Sequence, residues 1–251
     1  MTSPSPAPLR DAGAFVILGA AGGIGSAIAR ALAADGAALV LAGRTAARVA
    51  AVATETGGEP HAVDAADFGA VEALLTGARE RRGRVAGVVN AVGSILLKPA
   101  HLTSEAELAE TLRLNVQTAF AAVRAAGRVM TDGGSVLLFA SSAATVGLPN
   151  HEAIAAAKGA VSGLVRSAAA TYAGRRLRVN ALAPGLVDTP LAARITGNPK
   201  SLEVSVGMHP LGRIGRVADV VAPVRWLLDP AADWITGQVL PLDGGMAAIR
   251  R

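Results

Sequence analysis

The fold is decided by residues 14–25, Ala14-Phe15-Val16-Ile17-Leu18-Gly19-Ala20-Ala21-Gly22-Gly23-Ile24-Gly25. The first five residues are continuously apolar and predict a buried strand, and a helical pattern follows over 23–34. Glycines between the two allow a tight turn and let the backbone approach a pyrophosphate. The helix N-terminus offers that anion free N–H groups and the positive end of a dipole. A glycine turn without a ligand is the alternative, but the order strand, glycine turn, helix favours a dinucleotide site.

Short apolar runs and longer helical patterns alternate along the rest of the chain. Most runs are apolar at every position, as expected when helices cover both faces of a parallel sheet. This pattern predicts one α/β domain with a Rossmann fold: a doubly wound, mostly parallel seven-stranded sheet with helices on both faces. The predicted strands are 14–18, 38–42, 59–63, 85–89, 135–139, 177–182 and 238–242, and the predicted helices are 23–34, 45–55, 67–82, 105–130, 151–173 and 217–228.

Composition excludes several classes of protein. The 251 residues include no cysteine, which excludes a disulfide scaffold and a thiolate metal site, and we predict no metal ligands. The net charge of +5 invites a nucleic-acid interpretation, but the arginines are scattered and only 3% of residues are aromatic, so few side chains could stack on bases. No uninterrupted apolar stretch reaches membrane-spanning length. We therefore expect a small-molecule substrate, no nucleic acid and no membrane.

Two segments depart from the strand and helix rhythm. Residues 1–12 are rich in Pro and Ser, lack the apolar run of a signal peptide, and are predicted to be a disordered leader before a single domain over 13–251. We accordingly expect a cytoplasmic protein. Residues 186–216 are punctuated by Pro and Gly, which predicts a substrate lid; an irregular surface loop is the alternative.

Several motifs follow one another in order along the chain: the glycine spacing Gly-x-x-x-Gly-x-Gly at 19–25, Asp64, Asn90-Ala91-Val92-Gly93, Asn115, Ser141 and Pro184-Gly185-Leu186-Val187-Asp188-Thr189. Together they resemble the classical short-chain dehydrogenase/reductase family over roughly residues 13–246. It implies a nicotinamide cofactor held by the glycine loop, by polar groups after the next strands and by a Pro-Gly loop at the nicotinamide. The cofactor residues implied are Gly19, Gly23, Ile24, Gly25, Arg44, Asp64, Asn90, Gly93, Lys158, Pro184, Gly185, Val187 and Thr189.

The end of the second strand predicts which nicotinamide cofactor is bound. A site that prefers NAD places a carboxylate there to bind the ribose hydroxyls, but this chain has Gly43 followed by Arg44. A guanidinium can hold a 2′-phosphate by paired hydrogen bonds. We predict NADP(H) over NAD(H); the alternative is that Arg44 is solvated and stacks on adenine in either cofactor.

The resemblance also implies a catalytic frame, and one member of it is missing. Ser141, Lys158 and Asn115 match the family's serine, lysine and relay asparagine, but Ile154 occupies the position of the tyrosine that transfers the proton. A positioned acid or base is typically worth ~10²–10⁴ in rate. Carbonyl reduction through this site is therefore expected to be weak unless another group substitutes. Lys158 is also explained by ribose binding alone.

Helical spacing nominates His151 as that substitute. If the helix begins near Asn150 as N-cap, His151 shares a face with Ile154 and Lys158; an ordinary surface histidine is an equal alternative. The chain's single tyrosine, Tyr172, lies ~27 Å of helical rise beyond position 154 and cannot serve in the same subunit. His209 in the lid is a more distant candidate.

Two functions follow. The first is an NADP(H)-dependent oxidoreductase acting on a small carbonyl, alcohol or imine-like compound with a modified acid/base. The second is a non-redox role on the same fold: a cofactor-binding sensor, a partner subunit, or an eliminase or isomerase. The small residues along 151–173, together with the resemblance, imply a homo-oligomer, a dimer or tetramer; packing within one subunit is the alternative.

Overall fold

The computed structural model describes residues 9–249. Within them, seven strands form one sheet in the order β3-β2-β1-β4-β5-β6-β7, and every neighbouring pair is parallel. This confirms the predicted fold class, and each predicted strand is found within two residues of its bounds. The strands are β1 Ala14–Leu18, β2 Ala38–Gly43, β3 Glu59–Ala62, β4 Val85–Asn90, β5 Gly134–Phe139, β6 Leu177–Pro184 and β7 Val239–Leu242.

Helices cover both faces of the sheet. β1 shows why: Val16 and Leu18 point into one apolar core, while Phe15 and Ile17 point into the other. The first core is completed by α3, α5 and α6, and the second by α1, α2 and α9. The helices are α1 Gly23–Ala34, α2 Ala46–Thr56, α3 Phe68–Arg82, α4 Glu105–Leu112, α5 Thr118–Val129, α6 Glu152–Tyr172, α7 Ala193–Thr196, α8 Pro199–Met208 and α9 Val217–Leu228.

The helix predicted over 105–130 is interrupted. Residues Arg113–Gln117 form a π-helical turn between α4 and α5. The Asn115 side chain donates to the Thr111 carbonyl (2.9 Å), four residues back, which is the backbone acceptor that a regular helix would use. A side chain inserted into the helical ladder widens the turn, and such turns often occur at functional sites.

The helix predicted over 151–173 begins one residue later than expected. His151, not Asn150, occupies the N-cap position, and no side chain caps the helix among the residues described. Asn150 has a φ of 63°, a left-handed conformation that asparagine tolerates better than most residues. Its carbonyl accepts a hydrogen bond from the Lys98 N–H (2.8 Å), which ties this turn to the loop after β4.

The segment 186–216 is helical rather than irregular. It contains a 3-10 turn at Pro190–Ala192 followed by α7 and α8. Its two ends meet, because the Gly215 N–H donates to the Leu186 carbonyl (2.8 Å) and the Asp188 N–H donates to the Gly215 carbonyl (2.9 Å). The segment, called the lid below, is thus a helical hairpin closed at its base.

The N-terminal segment is ordered earlier than predicted. Leu9–Asp11 form a 3-10 turn and Ala12 is buried, so folded structure begins by Leu9 rather than at residue 13. The rest of the predicted leader, residues 1–8, lies outside the described residues. Within 9–249, every helix is too short or too polar to cross a membrane.

Candidate active site

The carboxyl ends of the parallel strands meet along one edge of the sheet and form a cavity of about 420 Å³. Leu18 pairs with Ala42 on one side and with Asn90 on the other, so the loops after β1, β2 and β4 emerge together. Chain order reverses between β1 and β4, which is where open α/β sheets bind ligands. The cavity is lined by residues including Gly19, Gly22, Gly23, Ile24, Arg44, Arg48, Asp64, Ala91, Gly93, Leu114, Thr189 and Leu191.

The glycine loop has the shape that a diphosphate requires. Gly19 has a φ of 79°, which favours glycine, and a Cβ on Gly25 would collide with the Gly19 carbonyl. α1 begins at Gly23 with Gly22 as N-cap, and no described side chain caps it. Its first turn therefore keeps N–H groups for an anion, and the loop fits the diphosphate of a dinucleotide.

Two arginines line the far end of this cavity. Arg44 is exposed in the loop after β2, as predicted, and Arg48 lies one helical turn further on in α2. The Arg48 guanidinium donates to the Ala21 carbonyl of the glycine loop (3.0 Å). The sequence offered no basic residue inside the glycine loop, and Arg48 was missed; its place in the first turn of α2, directly after the loop that carries Arg44, was the available signal.

Asp64 lies on the cavity wall after β3, where the sequence places it. Its carboxylate accepts hydrogen bonds from the Ala66 N–H (3.0 Å) and from Arg113 of the π-helical turn (3.1 Å). The Ala66 hydrogen bond and the charges of Arg113 and Arg44 hold the pKa of Asp64 below its usual value. An ionised carboxylate is therefore held as a hydrogen-bond acceptor at this wall.

Other predicted cofactor residues shape the cavity from behind it. Asn90 is buried and donates to Thr118 Oγ1 (3.1 Å), while its own oxygen accepts from the Val92 N–H (3.3 Å). Pro184, Gly185 and Val187 lie at the end of β6 and the base of the lid rather than on the cavity surface described above. Thr189, the last of that motif, does line the cavity.

Lys158 is buried at the carboxyl edge of β5. Its Nζ donates to the Phe139 carbonyl (2.8 Å), and burial lowers the pKa of Lys158 to about 8. A Cβ placed on Gly93 would lie 3.6 Å from this Nζ and 3.0 Å from Asn115 Oδ1. Lys158, Asn115 and the cavity-lining Gly93 therefore come together, as the sequence predicts.

Asn115 has a polar partner that sequence reasoning missed. Its Nδ2 donates to Ser94 Oγ (2.9 Å), and its Oδ1 accepts from the Ser94 N–H (3.3 Å). Ser94 lies between Gly93, which lines the first cavity, and Ile95, which lines a second one. No pattern in the sequence marks Ser94, because its pairing depends on the π-helical turn.

Ser141 follows β5 and faces the end of β6. Its hydroxyl accepts from the Ala143 N–H (3.1 Å) and donates weakly to the Pro184 carbonyl (3.4 Å). The neighbouring Ser142 is fully buried; its hydroxyl donates to Asp243 (2.6 Å), and the Ala183 carbonyl is a second, longer acceptor for the same proton (3.1 Å). Ser142 thus links the end of β5 to β6 and to the residue that follows β7, while Ser141 lies at the edge of the site.

Ile154 lies four residues before Lys158 in α6, on the same face of the helix, and is 5% exposed. It falls outside both apolar cores formed by residues 9–249, although its side chain is apolar and buried. Position 154 supplies no hydroxyl, so its side chain can neither donate nor accept a proton.

A second cavity of about 720 Å³ lies beside the first, and Leu191 of the lid lines both. His151 is on its wall, and its Nδ1 lies 2.8 Å from the Pro149 carbonyl. A carbonyl only accepts, so Nδ1 carries a proton, and in the neutral ring Nε2 is left as an acceptor. His151 is thus placed on the second cavity in a tautomer that can accept a hydrogen bond there.

The remaining candidate acid, His209, has a structural role, and Tyr172, already excluded by its distance along the helix, has one too. His209 is 2% exposed; its Nδ1 donates to the Ser205 carbonyl (2.6 Å) and its Nε2 accepts from the Leu186 N–H (3.2 Å), so both ring nitrogens are engaged in closing the lid. Tyr172 packs on Gly127 and under Arg175 at the far end of α6. Neither is the missing acid in this subunit.

Known proteins share this architecture and sequence. A family profile described as enoyl-(acyl carrier protein) reductase matches residues 19–247. Galactitol 2-dehydrogenase (L-tagatose-forming) of Cereibacter sphaeroides is 38% identical over 241 residues, 94% of this chain and 95% of that protein. The inactive 2-(S)-hydroxypropyl-CoM dehydrogenase 2 of Xanthobacter autotrophicus is 34% identical, over 88% of this chain and 100% of the relative.

Solved structures agree. A short-chain type dehydrogenase/reductase from Mycobacterium ulcerans superposes with a TM-score of 0.90 at 29% identity, over 95% of this chain and 90% of that one. The profile match and the identities extend over the glycine loop, the segment from Asn115 to Lys158 and the lid together. The chain belongs to the classical short-chain dehydrogenase/reductase family, whose dehydrogenases use nicotinamide cofactors.

Proposed function

We propose that this protein is an NADP(H)-dependent oxidoreductase for a small carbonyl, alcohol or imine-like compound, working with a modified acid/base. One observation carries the proposal: Lys158, Asn115 and Gly93 come together at the edge of a glycine-lined cavity, next to a second cavity that shares Leu191 with it. A cofactor in the first cavity and a substrate in the second would approach each other at Leu191, and Lys158 lies behind Gly93 on the wall of the first cavity.

Most of the residues that would hold the cofactor lie on the walls of the first cavity. The glycine loop and the first turn of α1 would bind the diphosphate, and Asp64 would accept a hydrogen bond from the adenine. Lys158, which lies behind Gly93, would contact the nicotinamide ribose. Arg44 and Arg48 bind the 2′-phosphate, since neither has a carboxylate partner within 4 Å among residues 9–249. When bound, the cofactor supplies or accepts the hydride.

The proton at the substrate oxygen is assigned to Lys158. Its pKa of about 8 keeps the ammonium protonated at neutral pH and close enough to that pH to release a proton. In this proposal a water carries that proton from Lys158 to Ser94, which Asn115 holds between the two cavities, and the Ser94 hydroxyl passes it to the substrate. His151, as an acceptor on the second cavity, orients a substrate hydroxyl in this proposal.

The activity is tested by hydride transfer with NADPH and NADH on a panel of ketones, polyols and cyclic imines. We expect slow turnover that prefers NADPH, and a loss of about 10²-fold or more in Lys158→Ala and Ser141→Ala. Reduction by the wild type should fall as the pH rises through about 8, because Lys158 then loses its proton. Cofactor binding without hydride transfer to any compound would instead support the non-redox alternative.

Cofactor preference is tested by reversing the charge of Arg44. We expect Arg44→Asp to weaken NADPH binding about 10- to 100-fold, because the 2′-phosphate loses a charged donor and meets a carboxylate, whereas NADH binding changes little. Binding is measured by quenching of Trp fluorescence. Arg82→Asp is the matched control. Arg82 is exposed at the C-terminus of α3, at the amino ends of the strands and away from the cavity. Equal losses for both cofactors would contradict the assignment.

The proposal includes a homo-oligomer, a dimer or tetramer, in the cytoplasm. The outer surface of α4 and α5 supports self-association, because Leu108, Leu112 and Phe120 are each more than a third exposed. Phe120 stacks on Phe68 of the neighbouring helix at a ring separation of 5.8 Å, which widens this apolar surface.

A further inference from the structure

The second cavity carries more positive than negative charge on its wall. Its ionic residues are Lys98, Glu107, Arg194 and Lys200. Lys98 and Glu107 compensate one another, because Lys98 Nζ lies 3.0 and 2.8 Å from the two Glu107 oxygens. That hydrogen bond, with two from Ser104, lowers the pKa of Glu107 to about 2, so the carboxylate is ionised and already satisfied. Arg194 and Lys200 remain as uncompensated charges.

Both of these cations belong to the lid. Arg194 is in α7 and Lys200 is in the first turn of α8, and neither lies within 4 Å of a carboxylate in the described part of the chain. α8 is ten residues long and presents Lys200 and Ser201 from its N-terminal end to the cavity. The positive end of the helix dipole adds to the two side-chain charges.

The remainder of this wall is largely apolar. Ile95 and Leu97 come from the loop after β4, Leu148 precedes α6, and Val204 and Met208 come from α8. Leu191 marks the side on which this cavity meets the glycine-lined cavity. A ligand that fits has a reacting end near Leu191, an apolar body, and an anionic group within reach of Arg194 and Lys200.

We propose that the lid forms an anion subsite, and that the substrate is an oxo or hydroxy compound whose apolar body ends in a carboxylate or a chemically similar anion. Only one part of this inference rests on the proposed function, namely that the reacting end of the ligand is an oxo or hydroxy group. Arg194 and Lys200 bind the anion by charge-assisted hydrogen bonds, and they also bring the lid over the ligand. Neutral analogues of the same shape lose this contact.

The test uses methyl-ketone acids of increasing length, from 4-oxopentanoate to 7-oxooctanoate, and their methyl esters, with NADPH. For at least one length we expect kcat/KM to favour the acid over its ester about 10- to 100-fold. Arg194→Gln/Lys200→Gln should bring that ratio close to one, because kcat/KM falls far more for the acid than for the ester. In the wild type at saturating NADPH, added salt should lower kcat/KM more for the acid than for the ester. Arg82→Gln/Arg84→Gln, which removes the same charge elsewhere, should keep the preference.

Binding of the same acids and esters to the NADP⁺ complex, measured by calorimetry, separates this inference from the oxidoreductase proposal. Acids that bind through Arg194 and Lys200 without turnover would support the subsite and count against the redox function. Turnover with equal preference for acid and ester, unchanged in the double variant, would overturn the subsite and leave the redox function standing. The absence of any charge preference in both binding and turnover also overturns it.

Discussion

Replacement of Ile154 by tyrosine is expected to raise NADPH-dependent ketone reduction about 10²–10⁴-fold, the usual value of a positioned acid. The residues that would serve this hydroxyl are already in place. Lys158 lies on the same helical face one turn later. Ser141 directly precedes a 3-10 turn at Ser142–Ala144, and this turn packs on α6. A phenol at position 154 would be acidified by the Lys158 ammonium.

The substitution also enlarges a buried side chain, so its packing cost must be separated from its chemistry. Ile154 is 5% exposed and belongs to neither of the two large apolar clusters of the described residues, so the packing cost of a larger side chain falls on its immediate neighbours. Ile154→Phe is the matched control, because it adds the same ring without the hydroxyl. Ile154→Tyr/Lys158→Ala tests whether the new hydroxyl depends on the lysine.

The expected result is a rate increase in Ile154→Tyr that neither Ile154→Phe nor the double variant shows. The three variants and the wild type are compared in kcat/KM on one ketone panel, with NADPH affinity measured in parallel. If the tyrosine and phenylalanine variants bind NADPH normally and reduce ketones equally slowly, the frame around Ser141 and Asn115 cannot use a tyrosine as the acid, which counts against an otherwise intact reductase site.

Periodicity and turn chemistry were sufficient to predict the fold. The bounds of α1 and α9 and of β1 agree with the sequence prediction at both ends, because an apolar pattern and a glycine or proline boundary coincide there. The lid was predicted as a segment but not as helices. Pro199 stands at the first position of α8, where a missing N–H costs nothing, so a residue that looked like a break begins a helix.

Features of the site that depend on tertiary contacts were beyond the sequence pattern. Asn115 was expected on a regular helix, but its side chain displaces a backbone hydrogen bond and widens the turn. Ser94 acquires a role only because that turn points the Asn115 amide at it. Asn150 was expected as an N-cap and instead adopts a left-handed conformation, which shifts the start of α6 to His151.

Lys158→Met is expected to stabilise the cofactor-free protein at neutral pH while removing turnover. Burial lowers the pKa of Lys158 from 10.5 to about 8, which at 1.36 kcal/mol for each pH unit corresponds to about 3 kcal/mol of cost for burying the ammonium. Methionine fills the same space without a charge. It leaves the Phe139 carbonyl without its donor, which costs about 1 kcal/mol, so we expect a net gain of about 1–2 kcal/mol.

The pH dependence separates this cause from a simple gain in packing. Below pH 8 the lysine is protonated in both the folded and the unfolded chain, so the full cost is present. Between about pH 8 and 10.5 the unfolded chain binds more protons than the folded one, and the wild type gains stability relative to the variant as the pH rises. Urea unfolding of both proteins from pH 6 to 10.5 measures the gap, and Lys200→Met, an exposed lysine, is the control. If the difference in stability keeps its size across this range, the buried charge is not its source. That result would also contradict the lowered pKa on which the assignment of Lys158 as the proton donor depends.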